Sequence, residues 1–560
     1  MRTRAVAALM LAAATAGFVW WRNSQVADLL DLSYVLDFSF RIARGELPYR
    51  DYPFVHAPLT FVIQAAIIAA AGRHYLYQIA YACLAGAAAT VLTWRLLQQD
   101  LGRLLPSPAL AAFALSMPLV CLGVYSIIPH PFYDSDTTIA ILLVTLAAWA
   151  AERKHFPTAA TFGAGALFVL PVFGKQNTGL AFLGAAVAGL GLLTVVEWRV
   201  QEARRGYLLL LAGAAAGLLA SVLAVHFIVG LGNYVRWTVQ FAAERRLPPL
   251  ADMVGIYRDA RLGWWLASAV LAWTVATLAP GRSHRTPAIL VVVLVCLPFV
   301  YLLVAAVRSK DFWDFADRFL SLWPYLLVSS ALAALAEFRV RSGLARIWPF
   351  VLLAAIHGCL MSQQVWGSTY GIWPLFVLLL ATVLSAAMRP LAAEAPRALA
   401  VAAFVAGLSL AYGGWSYTVS NERLSPANVF DGQLAGSNVP ALSGLRTRGR
   451  WLPDFDELVA WSAQNIPFED GIILLPGEDP FFYATGRLPR FPVLLFDETG
   501  NPYSPGEYLQ IARSYGIRWL VVKKVTQARD TMYDESFAIT ELAAEFKPVA
   551  ELRNYRVYRR

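Results

Sequence analysis

The sequence predicts an all-α polytopic membrane protein carrying a small α/β domain at its C-terminal end. Three observations predict it. Of the 560 residues, 58% are hydrophobic and only 15% charged, whereas a soluble globular chain is about a quarter charged. Apolar runs of about 20 residues, each long enough to cross a hydrocarbon core of about 30 Å as a helix, recur as far as Tyr417. Beyond that point short β-rich runs alternate with helical ones instead.

The elements follow in order from where the arginines fall, because Lys and Arg near helix ends stay on the cytoplasmic side of a membrane. Residues 5–21 form the first span. Arg2 and Arg4 ahead of this apolar run resemble a signal peptide, but no small-residue cleavage site precedes a soluble region, and a retained helix is expected. The segment 22–73 then lies outside. Its apolar part, 59–71, is short and follows Pro58, which leaves a choice between a span and an interfacial helix.

Reading it as interfacial makes 75–97 the next span, ending inside at Arg95 and Arg103. Every later basic turn then falls on the same side: Arg153 and Lys154; Arg199, Arg204 and Arg205; Arg282 and Arg285; Arg339, Arg341 and Arg346; Arg389 and Arg397. About thirteen spans result, with the N-terminus cytoplasmic and the C-terminus outside. The formal net charge of +9 is thereby a topology signal, and no nucleic-acid partner is expected. The opposite-side loops, 22–73, 125–136, 175–178, 233–263, 309–317 and 363–370, hold most of the polar chemistry.

The chain divides into a transmembrane part, 1–419, and an extracytoplasmic α/β domain, 420–560. A Gly/Ser/Pro/Asn-containing stretch at 420–449 suits a linker. In the domain, strands are expected at 471–475, 519–523 and 555–558 and helices at 454–464 and 505–515. Asp470, Glu478 and Asp479 read as an acidic edge, either a surface that meets an acceptor or simply a loop, with no catalytic motif. Cys83, Cys121, Cys296 and Cys359 lie in or beside apolar segments without metal-site or disulfide spacing and read as small buried hydrophobes. Repeats of 20–50 residues are absent from the sequence, which disfavours the runner-up reading of a transporter or lipid flippase built from inverted halves.

Three constellations carry chemistry. In the first outer loop, Asp31 stands a few residues after a helix at the membrane surface, placed either to take a proton from an acceptor hydroxyl or to cap the helix that follows. Asp28 competes for the same role. Behind it runs Gly45-Glu46-Leu47-Pro48-Tyr49-Arg50-Asp51, then His56-Ala57-Pro58-Leu59. In the second, Asp134 and Asp136 at i and i+2 suit a shared divalent cation, Mg or Mn, that neutralises a phosphate leaving group; they equally suit caps of a helix. In the third, Lys175 is placed to hold a phosphate as a point charge, with Gln176 and Asn177 as neutral donors. Further outer cations include Arg236, Arg245, Arg246, Arg258, Arg261, Arg308, Lys310 and Arg318. His226 and His357, inside apolar spans, read as packed residues making one hydrogen bond.

The run from Asp31 to Asp51, with His56, Pro58 and Leu59 behind it, resembles the first outer loop of the GT-C glycosyltransferase superfamily, particularly bacterial members related to protein mannosyltransferases and lipid A aminoarabinose transferases. The resemblance implies a GT-C transmembrane fold in the bacterial inner membrane. It also implies an inverting transfer of a sugar from a polyprenyl-phosphate donor to a lipid, glycan or protein hydroxyl. Carried over residue by residue, it makes Asp31 the general base, Tyr49, Asp51, His56, Lys175, Gln176 and Arg318 substrate contacts, and Asp134 and Asp136 carboxylates for metal or substrate. Arg318 is the preferred second phosphate contact because its stretch, Asp317 to Pro324, resembles a family pattern. The sequence departs from the family at Leu32, where many relatives carry Glu, so a mechanism with two adjacent carboxylates is not available. A GT-C-shaped protein that only binds a lipid-linked sugar is the further alternative this departure supports.

Overall fold

The computed structural model describes residues 2–26, 29–278, 285–309, 311–359, 361–362, 370–420, 434–496, 500–526, 531–532, 542 and 545–560. Asp28, Arg282, Lys310, most of the loop at 363–370 and the linker at 421–433 lie outside the described residues. Helices dominate up to Ser420. Eight of those described are long and apolar enough to cross a membrane by length and composition, and three shorter apolar helices accompany them: Leu59–Ala71, Thr158–Phe173 and Leu344–Gly358. Several of the thirteen expected crossings are therefore short or broken. Pro171 falls where the Thr158–Ala166 α-helix has tightened into a 3-10 turn, as expected for a residue that cannot donate to the helical ladder.

Apolar character alone does not pack helices in lipid; small residues do, by letting backbones approach. The Thr158–Ala166 helix lies against Gln201–Ile228, and a side chain added at Gly213 would meet the Phe162 carbonyl oxygen at 2.1 Å, one at Gly217 the Ala166 carbonyl at 2.4 Å. The first helix, Arg2–Asn23, lies on Tyr75–Leu101, where the Thr15 hydroxyl donates to Thr90 at 3.3 Å. All four cysteines are free and buried.

One end of the bundle gathers the basic turns, as the arginine pattern required. Arg341 reaches Asp100 at 3.0 Å and Glu337 at 3.4 Å, Arg389 reaches Glu337 at 2.7 Å, and Arg346 reaches Glu197 at 3.1 Å. The opposite end carries the 24–58 loop and the C-terminal domain. Leu59–Ala71 begins and finishes at this same end. Thr60 near its start donates to Asp136, while Arg73 just past its finish donates to the Tyr483 carbonyl at 2.6 Å. At 13 residues and about 1.5 Å each it spans roughly two thirds of a hydrocarbon core.

The C-terminal region is built on a four-stranded sheet. Gly471–Leu475 runs parallel to Ile517–Lys523, which pairs antiparallel with Tyr555–Arg559, itself antiparallel to Lys547–Glu551. Alternation along the strands buries both faces. Ile473, Leu475, Leu520 and Val522 pack toward the Pro505–Ser514 helix, while Ile472, Leu474, Trp519 and Val521 join the core that continues into the membrane part. The acidic edge expected at Glu478 and Asp479 is not an edge. Both are buried on Lys523 at 3.1 and 2.9 Å, and the Tyr555 hydroxyl donates to Asp479 at 3.0 Å. Asp470 is likewise occupied, accepting from the Trp519 indole at 2.9 Å.

Candidate active site

Three ties bring the outer loops together. The Arg22 side chain, at the end of the first helix, donates to the carbonyls of Ser126 and Ile127 at 3.2 and 3.0 Å, and Asn23 donates to that of Tyr125 at 3.0 Å. These bonds fasten the start of the first outer loop to the second. The Gln176 amide donates to the Val55 carbonyl at 3.2 Å and fastens the third to the first.

Within the first loop, the Leu30–Ala43 helix carries Asp31 in its first turn, with the side chain exposed and no capping bond from residue 29. Asp31 acts electrostatically on His130 and Tyr133, so the loop that bears it faces the second acidic motif. His130 itself is buried, which lowers its pKa, and the Asp31 charge opposes that shift. Tyr49 and Asp51 do not line the pocket. Tyr49 is buried with φ at 69° and its hydroxyl donates to the His56 carbonyl at 2.6 Å, bracing the turn that presents His56. Asp51 caps Leu47 at 2.7 Å and pairs with Arg50 at 2.8 Å on the loop's exposed side.

His56 packs its ring on Tyr133 at 5.0 Å, and Arg246 lies 3.4 Å from its Nε2. Burial first, then the positive charges of Arg246 and Lys175, hold its pKa well below the ordinary value. The imidazole is therefore neutral near pH 7 and accepts from Arg246. Lys175 forms an ion pair with Asp134 at 2.7 Å, the two side chains only 5% and 1% exposed. Its ammonium lies 5.5 Å from the Tyr133 ring centroid.

His56, Tyr133, Lys175, Gln176, Asn177 and Arg246 share the lining of a pocket of about 270 Å³. That pocket combines two cations with neutral donors and an apolar wall from the Thr238–Leu247 segment, a composition suited to an anionic group joined to an apolar body.

Asp136 is committed elsewhere. It accepts from Thr60 at 2.6 Å, Tyr81 at 2.7 Å and Tyr125 at 2.6 Å. Asp134 and Asp136, expected to share a cation, have separate partners, Lys175 for Asp134 and three hydroxyls for Asp136, and residues two apart on the Tyr133–Arg153 helix do not face each other. Among the described residues no group of three His, Cys, Asp or Glu side chains is placed to hold a metal. Arg318 is also apart from the pocket: it pairs with Asp314 at 2.8 Å on the short Phe312–Leu320 helix. Arg246, which the sequence offered only as one of several outer cations, lines the pocket instead. His357 makes two hydrogen bonds, with the Tyr257 hydroxyl and the Leu353 carbonyl.

No protein-family model matches the chain, and no curated protein matches it. Among solved structures it is similar to ArnT from Cupriavidus metallidurans bound to undecaprenyl phosphate, at 12% identity and a TM-score of 0.47, over 98% of this chain and 97% of that one. It is also similar to the Archaeoglobus fulgidus oligosaccharyltransferase in complex with Zn and sulfate, at 12% identity and a TM-score of 0.46, over 98% of this chain and 72% of that one.

Proposed function

We propose that the protein is a membrane glycosyltransferase that moves a sugar from a polyprenyl-phosphate donor to a hydroxyl acceptor on a lipid, glycan or protein, outside the cytoplasm. What supports this most is the pocket in which buried Lys175 and half-buried Arg246 converge beside His56, with Asp31 on the facing loop. The Arg-rich end of the bundle faces the cytoplasm and the C-terminal domain the outside, in a bacterial inner membrane.

In the proposed step the acceptor oxygen attacks the anomeric carbon as its proton passes to the Asp31 carboxylate. The anomeric carbon–oxygen bond to the lipid phosphate breaks, the phosphate keeps the electron pair, and the configuration inverts. Lys175 and Arg246 balance the charge that grows on the departing phosphate. Neutral His56 orients Arg246 without adding charge. The apolar wall of the pocket takes the first isoprene units.

Donor binding tests this. Detergent-solubilised protein titrated with a polyprenyl-phosphate sugar is expected to bind it, with polyprenol lacking phosphate failing to compete. Arg246→Gln is expected to weaken binding about ten- to a hundredfold, the loss of one charged hydrogen bond of about 1.5–3 kcal/mol. Unchanged affinity in Arg246→Gln, or equal competition by the uncharged polyprenol, would remove the phosphate role of this pocket.

A further inference from the structure

At the opposite end of the bundle lies a larger cavity, about 600 Å³, between the ends of three helices. Arg4 comes from the first helix, Trp94 and Arg95 from Tyr75–Leu101, Arg103 from the turn directly after that helix, and Trp149 and Arg153 from Tyr133–Arg153. It is distinct from the candidate active site. Tyr81, which touches Asp136 there, and Arg95 stand on one helix, about 20 Å apart at roughly 1.5 Å per residue.

Two independent features mark this cavity as built for an anion. The first is charge. Four arginines line it against one carboxylate, Glu152, and that carboxylate is occupied, accepting the Leu344 backbone N–H at 2.7 Å. Asp100 lies 3.8 Å from Arg103 but is held more closely by Arg341, at 3.0 Å.

The second feature is unmet hydrogen bonding. The indole N–H groups of Trp94 and Trp149, the Gln98 amide nitrogen and the Gln99 amide oxygen all belong to residues of the lining and are buried without a partner among the described residues. Trp94 is 2% exposed and Trp149 8%. Native proteins leave few buried polar groups unpaired, and each one calls for an explanation. Three donors and one acceptor around a cationic cavity match a phosphate ester that also carries a hydroxyl.

We infer that this cavity binds a glycerophosphate-type phosphate ester, donated either by an anionic phospholipid headgroup of the facing leaflet or by a soluble phosphorylated polyol. Arginine suits phosphate by its fork of donors, and basic pockets between transmembrane helices on the cytoplasmic side take anionic headgroups. The two tryptophans supply the amphipathic wall that such a headgroup meets at the membrane surface.

Native mass spectrometry of the full chain, released from detergent containing phosphatidylglycerol or phosphatidylcholine, tests it, with thermal unfolding in parallel. Phosphatidylglycerol is expected to remain bound and to raise the unfolding temperature, phosphatidylcholine to do neither. The double variant Arg95→Gln/Arg103→Gln is expected to lose retention at least tenfold. Trp94→Phe, which keeps the ring and removes one N–H, is expected to weaken it severalfold and guards against a double variant that fails to fold. Stabilisation by free glycerol phosphate, lost in the same variants, would support the site and assign it to a soluble ligand. Equal retention of both lipids, unchanged by either variant, with no shift from glycerol phosphate, would overturn the inference.

Discussion

Replacing Lys175 by Met strands Asp134. The two groups are 2.7 Å apart and at most 5% exposed, so solvent screens neither, and removing one partner of such a pair costs about 3–5 kcal/mol. Most of that cost is the uncompensated carboxylate, so Asp134→Asn added to Lys175→Met should return most of the stability: replacing both charges of a buried pair by neutral groups is often close to neutral. Donor binding should not return, because the double variant still lacks the ammonium proposed to meet the phosphate. Thermal unfolding in detergent and titration with a polyprenyl-phosphate sugar separate the two effects. Lys175→Met is expected to be markedly less stable and not to bind, and the double variant to be near the parent in stability while binding at least tenfold more weakly, equivalent to about 1.4 kcal/mol or more. A double variant as unstable as the single one would refute the pairing argument. Parent-like donor affinity in the double variant would refute the phosphate role of Lys175.

Three further outcomes follow from other parts of the molecule. Asp37 is buried against the C-terminal domain, accepting the backbone N–H of Tyr483 at 2.7 Å, and burial raises its pKa from 3.8 to about 8. The folded protein then holds a proton there that the unfolded chain releases, so this group makes stability fall as pH rises from about 4 to about 8. Asp37→Asn is expected to flatten that slope in a pH series of unfolding temperatures, and an unchanged slope would contradict it. Gly213→Val is expected to cost about 1–3 kcal/mol by overpacking, since even a methyl group there would lie 2.1 Å from the Phe162 carbonyl; unfolding at the parent temperature would contradict the close helix approach. Arg341→Met at the opposite end leaves Asp100 and Glu337 buried with less compensation and is expected to destabilise by about 3–5 kcal/mol without altering donor affinity, which binding and unfolding measured on one preparation would check.

Much of this architecture was legible because lipid imposes simple rules. The arginine alternation that placed 59–71 at the surface is matched by Arg73 meeting Tyr483, and the strands expected at 471–475, 519–523 and 555–558 form. Lys547–Glu551 was missed: Pro548 and the charged residues at its ends hide an edge strand. Helical spacing separates Asp134 from Asp136, since i and i+2 are neighbours in sequence but not on a helix surface. Which outer cation joins Lys175 depended on how the 233–263 loop folds back over the pocket, information that no local pattern around Arg246 or Arg318 contains. Glu478 and Asp479 looked solvated because their partner, Lys523, is 44 residues and one parallel strand crossing away.

Sugar transfer by reconstituted protein from a polyprenyl-phosphate sugar tests the proposed activity and its base together, comparing the parent with Asp31→Asn, which keeps shape and removes the proposed base. The parent is expected to transfer the sugar and Asp31→Asn to lose about 100-fold or more, the usual contribution of general-base catalysis, with donor affinity retained. Equal transfer by both proteins would contradict Asp31 as the base, and no transfer by the parent from any polyprenyl-phosphate donor would contradict the glycosyltransferase reading itself.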